Sequence, residues 1–254
     1  MKFIYPVKKT ILASALVLIS MACNRDDDST PAPLEASPWE YEHTDWQTQG
    51  YPECAGKVQS PVNIETSHTV SAALHEISFD YEAFPLTIID NGYTLEVEGH
   101  GHNTIEVNGT QYTFKQFHFH HESEHSINGE KSAMELHLVH EDLATGNLAV
   151  VGVFLQPGSK HAQFEQILDN LPTQKKKALE TDIPINLQDW LPASKNYYTY
   201  VGSLTTPPCK QGIQWFLMKE PVNISEEQIN IFAKKYSNNA RPIQSLNGRI
   251  VFEK

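Results

Sequence analysis

The run Gln116-Phe117-His118-Phe119-His120 decides the fold of this chain, because its polar and aromatic residues alternate with the period of a β-strand. Successive side chains on a strand point to opposite faces, so His118 and His120 share one face and Phe117 and Phe119 the other. A second alternating run, Glu135-Leu136-His137-Leu138-Val139-His140, follows a polar turn around Asn128-Gly129. The spacing predicts that it folds back antiparallel beside the first and offers a third imidazole. Three neutral nitrogens on one face hold a tetrahedral zinc and leave one position open, the arrangement of a catalytic rather than a structural site.

Working outward, residues 86–89 and 94–98 read as a hairpin about Asn91-Gly92, and residues 104–107 and 111–119 as another about Asn108-Gly109. Residues 148–155 are continuously apolar, as a strand buried on both faces is, and are expected at the sheet centre. Strands are also predicted over 197–203, 212–219 and 249–252, and an irregular aromatic strap over 39–46. Helical period runs through 161–170 and 226–236, the second opened by Ser225 and Gln228 as a capping box. The fold class is mainly β: a single domain with a large twisted, mostly antiparallel sheet and short peripheral helices.

At 254 residues the chain carries no internal repeat, and its formal charge is −12. Nucleic acid is excluded as a partner, since binding it needs a basic stripe. Residues 1–22 combine a basic start with an apolar run too short for a membrane span, which reads as a secretory signal. Removing them with their three lysines takes the charge to −15. Cys23 after a small residue resembles a lipoprotein box, where the cysteine becomes the lipidated N-terminus, although Ser20 stands where leucine is usual. Residues 23–38, with Asp26-Asp27-Asp28, Pro31 and Pro33, read as an acidic, solvated tether, and such an acidic run resembles signals for the outer surface. The expected location is a lipid anchor at the outer membrane or cell surface, otherwise the periplasm, with membrane contact only through Cys23. If Cys23 carries lipid, Cys54 and Cys209 remain as an even pair in an oxidising compartment and are expected to form a disulfide.

Taken in order, Gln59-Ser60-Pro61-Val62-Asn63-Ile64, Phe117-His118-Phe119-His120, Ser123-Glu124-His125, Glu135-Leu136-His137-Leu138-Val139-His140 and Ser203-Leu204-Thr205-Thr206-Pro207-Pro208 resemble the α-class carbonic anhydrases. The likeness is to exported bacterial members, runs over residues 39–254, and includes the positions of their Cys54–Cys209 disulfide. It implies an enzyme with Zn2+ as cofactor and carbon dioxide and bicarbonate as substrates, zinc-bound hydroxide attacking carbon dioxide at the end of a conical cavity. By the same resemblance His118, His120 and His137 are the metal ligands. Gln116 and Glu135 accept from those imidazoles and fix their tautomers. Glu124 draws the hydroxyl proton of Thr205, so that the threonine oxygen accepts from the hydroxide. Val139, Val150, Leu204, Ile213 and Trp215 match the apolar wall of the substrate pocket, with Thr206 beside them. Thr206, Tyr41 and Asn91 match residues that hold the pocket's water, and Arg241 a structural position.

One departure touches mechanism. Tyr93 stands where the fastest members carry a proton-shuttling histidine. A phenol of pKa about 10 is poorly matched to zinc water near 7. Tyr93 is therefore expected to be a poor shuttle, with external buffer or His121, His100 or His102 in its place. A rival reading is a cupin, because His118-x-His120-x3-Glu124 and Pro157-Gly158-x2-His161 imitate the two cupin metal motifs, with Glu124 and His161 as iron or manganese ligands. A non-enzyme rival is a carbonic-anhydrase-like binding module. The sequence leaves the oligomeric state open, a homodimer included.

Overall fold

The computed structural model describes residues 38–254, which belong to one compact unit. The signal, Cys23 and the tether as far as residue 37 lie outside the described residues. In chain order the strands are β1 (Asn63–Ile64), β2 (Val70–Ser71), β3 (Ser78–Asp80), β4 (Phe84–Asp90), β5 (Leu95–Glu98), β6 (Thr104–Val107), β7 (Thr110–His120), β8 (Ser126–Ile127), β9 (Met134–Glu141), β10 (Leu148–Pro157), β11 (Leu179–Ile185), β12 (Tyr197–Ser203), β13 (Gln211–Met218), β14 (Val222–Ile224) and β15 (Phe252–Glu253). Helix α1 (Ala162–Asp169) follows β10, and α2 (Glu226–Tyr236) follows β14. Thirteen strands form one sheet whose main path runs β11-β4-β5-β7-β9-β10-β13-β12-β15-β2. Its pairings are antiparallel except β10 with β13, β10 with β14 and β15 with β2. Strand β10, apolar on both faces, lies mid-sheet as its composition requires.

Alternation sorts the two faces. Met134, Leu136, Leu138 and His140 of β9 turn to the main core with Phe117 and Phe119 of β7, while Glu135, His137 and Val139 turn the other way. The main core is capped by α1 and α2, where Phe164 packs 4.8 Å from Phe119 and 6.3 Å from Phe232, centroid to centroid. Helix α2 starts at the expected capping box: Ser225 Oγ accepts from Gln228 N at 3.2 Å, and Ser225 N donates to Gln228 Oε1 at 3.1 Å. No helix among the described residues is long and apolar enough to cross a membrane.

Several local expectations shift. The connection from β7 to β9 is longer than a hairpin turn, because β8 within it pairs in parallel with β1 and only Ile127 and Glu130 close a tight turn about Asn128-Gly129. The Asn91-Gly92 turn becomes a loop in which Asn91 Oδ1 accepts from the amides of Tyr93 and Thr94, both at 2.9 Å. The last strand begins at Phe252 rather than Arg249, since the Arg249 guanidinium caps the carbonyls of Leu246, Ser245 and Val201. Strand β11 has no clear apolar period and carries Pro184, which an edge strand tolerates. The strap at 39–46 is irregular, as expected, holding one bridge between Glu40 and His43 before a 3-10 turn at Trp46–Gln49.

Candidate metal centre

The pairing of β7 with β9 sets His118 directly opposite His137. With His120 two residues along, three rings meet on one face, their centroids 4.5 to 5.3 Å apart. One nitrogen from each lies within 4.8 Å of the others. The next strand across leaves room at this spot: Gly152 of β10 stands opposite His137, and a Cβ there would lie 2.4 Å from Leu217 Cδ2 and 3.3 Å from Glu135 Oε1.

Which nitrogens converge follows from what holds the others. His118 Nδ1 donates to Gln116 Oε1 at 2.8 Å, His120 Nδ1 to the Asn239 carbonyl at 2.7 Å, and His137 Nε2 to Glu135 Oε1 at 2.8 Å. Nε2 of His118, Nε2 of His120 and Nδ1 of His137 are left unprotonated and free to bind. His120 Nε2 is buried with no hydrogen-bond partner. Burial, followed by the neighbouring His120 and His137, holds His118 well below the usual imidazole range, so its ring is neutral at pH 7. Convergent nitrogens with tied outer atoms fit a divalent metal in an open three-histidine site.

Gln116 and Glu135 each sit behind one of the converging imidazoles. Glu135 does more: Oε1 also accepts from His125 Nδ1 at 2.7 Å and Oε2 from His125 N at 2.8 Å. Burial would raise this carboxyl, yet His125 and His137 keep it well below the usual range, so Glu135 is ionised. His125 Nε2 in turn accepts from the Tyr200 hydroxyl at 2.7 Å, and Tyr200 is 2.7 Å from Ser60 Oγ. His125 and Asn239 were not singled out from the sequence. The first sits in a quoted motif, but the second acts through its backbone, which carries no sequence signal.

Glu124 is fully buried. Its Oε1 accepts from Arg241 N at 2.8 Å, and its Oε2 has no hydrogen-bond partner, lying 3.5 Å from His120 Nε2 and 3.8 Å from His137 Nδ1. Thr205 is buried in the loop after β12, and among the described residues no hydrogen bond joins it to Glu124. That loop is closed by the Cys54–Cys209 disulfide, with Cys209 N donating to Thr206 O at 2.8 Å. The Arg241 guanidinium, lowered to about 10 by burial, reaches Gln59 Oε1, Ser60 O and Cys54 O. Val139, Val150, Ile213 and Trp215 form one buried apolar cluster with Leu204 packed against it, on the same side of β9 as His137.

Tyr93 is placed differently from a relay. Its ring stacks on Trp39 with centroids 3.9 Å apart and planes 8° from parallel, and its hydroxyl donates to Trp39 O at 2.9 Å. Burial, with Tyr51 and Glu40 nearby, raises its pKa further. Tyr93 and Trp39 line a cavity of about 750 Å3 that none of the three histidines lines. Tyr41 lines it too, its phenol raised well above the usual value by burial and then by Glu124. Asn91, besides holding its turn, donates through Nδ2 to Glu96 Oε2 at 3.2 Å. His100 Nε2 bonds Thr87 Oγ1 at 2.8 Å. The cupin motif is not assembled: His161 caps α1, with Nδ1 accepting from Phe164 N and Nε2 donating to Asp189 O, and its ring stacks on Trp190.

A mainly antiparallel sheet that brings three histidines from two adjacent strands together, each imidazole oriented by a hydrogen-bond acceptor, defines a group that could hold a metal ion on a β-sheet. Residues 41–254 match the family model described as eukaryotic-type carbonic anhydrase, and the chain belongs to that family. Its general reaction is the reversible hydration of carbon dioxide. The chain is 34% identical to a carbonic anhydrase of Klebsiella pneumoniae over 97% of its own length and 100% of the relative's. It is 39% identical to one from Pectobacterium atrosepticum, covering 77% of this chain and 80% of the other. Among solved structures, the α-carbonic anhydrase of Photobacterium profundum superposes with a TM-score of 0.80 at 35% identity, covering 85% of this chain and 100% of the other. The enzyme from Thermovibrio ammonificans, solved with sulfanilamide, gives 0.79 at 38% identity, with 84% and 94% covered.

Proposed function

We propose that this chain hydrates carbon dioxide reversibly to bicarbonate and a proton, with zinc held by His118, His120 and His137. The observation that carries the reading is the set of three converging nitrogens, each fixed from behind by Gln116, Asn239 or Glu135 and one of them buried without a partner. Zinc held there would supply Lewis acidity, which in carbonic anhydrases generally lowers the pKa of a bound water to about 7.

The surrounding residues do the rest. Glu135 and Gln116 hold the ligand tautomers that leave the inner nitrogens bare. Arg241 N pins one oxygen of Glu124 and leaves the other without a partner; by accepting the Thr205 hydroxyl proton in the working enzyme it would leave the threonine oxygen to accept in turn. The apolar cluster of Val139, Val150, Leu204, Ile213 and Trp215 gives an uncharged substrate a site that does not compete with water for hydrogen bonds. Thr206 borders it. The disulfide and the N-terminal signal support export, with lipid attached at Cys23.

Stopped-flow hydration by protein beginning near Ser29, with and without prior zinc chelation, tests the reading. Hydration that disappears on chelation and returns with zinc is expected. Full zinc occupancy without hydration would favour a binding module. Glu124→Gln is expected to keep zinc, and loss of zinc in that variant would make Glu124 a ligand.

A further inference from the structure

With its hydroxyl committed to Trp39 O, Tyr93 offers no relay, and a base from solution can take the proton released in the metal pocket. Strand β5 pairs directly with β7, which carries His118 and His120. Leu95 and Val97 face the main core, so Glu96 and Glu98 face the opposite way, in register with His118 and Gln116 respectively. Both carboxylates are partly exposed and therefore in contact with solvent. Asn91 Nδ2 steadies Glu96 through a neutral hydrogen bond that leaves its charge uncompensated. Lys115 of β7 pairs with Glu141 at 2.9 Å and Lys235 with Asp90 at 3.0 Å, His100 Nε2 is bonded to Thr87, and Lys175 and Lys176 line the cavity beside Asn91 without pairing to Glu96 or Glu98. Among the described residues neither Glu96 nor Glu98 takes part in an ion pair.

We propose that Glu96 and Glu98 select, by charge, the base that carries the proton away. A neutral base of the imidazole type is not repelled and becomes a cation that these carboxylates stabilise as it takes the proton, whereas an anionic base such as hydrogenphosphate is held off. The inference rests on the hydration reading for its place in the reaction. In the transfer an O–H bond of water in the pocket breaks and leaves its electron pair on oxygen. The lone pair of the base nitrogen forms the new N–H bond. A carboxylate about 7 Å from a unit charge in water-like surroundings changes its local concentration by roughly twofold to threefold. Two of them give about fivefold or more, larger for a dianion and reduced by salt.

Two measurements on the zinc-loaded chain and its Glu96→Gln/Glu98→Gln variant test this. The first is paramagnetic relaxation of backbone amides by a cationic and an anionic nitroxide added in turn. At low salt the amides of residues 95–98 should respond more than tenfold more to the cation, and that ratio should fall roughly 25-fold in the variant, the square of the single-ion factor, and shrink in the parent at high salt, with α1 amides unchanged. Equal responses, or a ratio that the variant leaves alone, overturn the proposal. The second is hydration in imidazole against phosphate at matched pH and low salt, where the parent should favour imidazole and the variant should shift at least fivefold toward phosphate. Normal hydration with an unshifted buffer ratio overturns the selection alone, whereas no hydration by the zinc-loaded parent removes the functional reading and this one with it.

Discussion

Glu135→Gln isolates the part of the metal centre that only acceptors can build. The carboxylate receives three donors: His125 Nδ1 and His137 Nε2 on Oε1, and His125 N on Oε2. A glutamine has one acceptor oxygen. If its NH2 takes the Oε2 place, it meets the His125 amide donor to donor, and leaving that buried N–H unmet costs about 1–3 kcal/mol. If the NH2 takes the Oε1 place, both ring nitrogens must accept, and the proton of His137 moves to Nδ1, the atom that would bind the metal. Both arrangements disfavour the metal-ready state. Loss of an outer acceptor of this kind reduces metal affinity about 10-fold to 100-fold, or roughly 1.4–2.7 kcal/mol. Competition against a zinc chelator measures the affinity, and urea denaturation of the metal-free protein separates the stability cost. Zinc affinity within threefold of the parent, together with unchanged metal-free stability, would refute the reasoning.

The disulfide joins residues 155 apart in sequence, for which the chain-entropy relation gives about 5 kcal/mol. Reduction should therefore lower the melting temperature markedly, and alkylation should add two adducts at Cys54 and Cys209 only after reductant; two adducts without it would show free thiols. His140 is lowered by burial to about 3, beside the Tyr81 hydroxyl at 2.8 Å, whereas the unfolded chain takes up that proton near 6.5. The unfolded state binds the extra proton between these values, so stability rises with pH across that window and is fully present above about 6.5. Urea denaturation at pH 5 and 7.5 should show the stability gap between parent and His140→Gln changing by about 2 kcal/mol, and a constant gap would exclude this origin. Tyr93→Phe should leave hydration at saturating buffer within twofold of the parent, because the hydroxyl is spent on Trp39; a tenfold fall would make Tyr93 a relay.

Much of the metal centre is legible in local pattern. Period-two alternation puts His118 and His120 on one face and Glu135 two residues before His137 on another strand of the same sheet, and the period holds across β5, β9 and β10 and along β7 from Gln116 to His120, past a bulge after Phe114. The capping box of α2 and the apolar strand β10 are equally local signals and stand where the sequence puts them. What alternation determines is the face a side chain takes and its neighbours within a strand. Packing alone decides the rest. The carbonyl that orients His120 comes from Asn239, 119 residues away, the amide that pins Glu124 from Arg241, 117 away, and the hydroxyl on His125 from Tyr200, 75 away. Tyr93 shows the same division: its residue type lowers its fitness as a relay, but the Trp39 ring and carbonyl that hold it come from a strap 54 residues upstream. Local sequence sets dihedral period and hence direction, while a partner at long separation exists only once the chain has met the entropy of closing the loop between them.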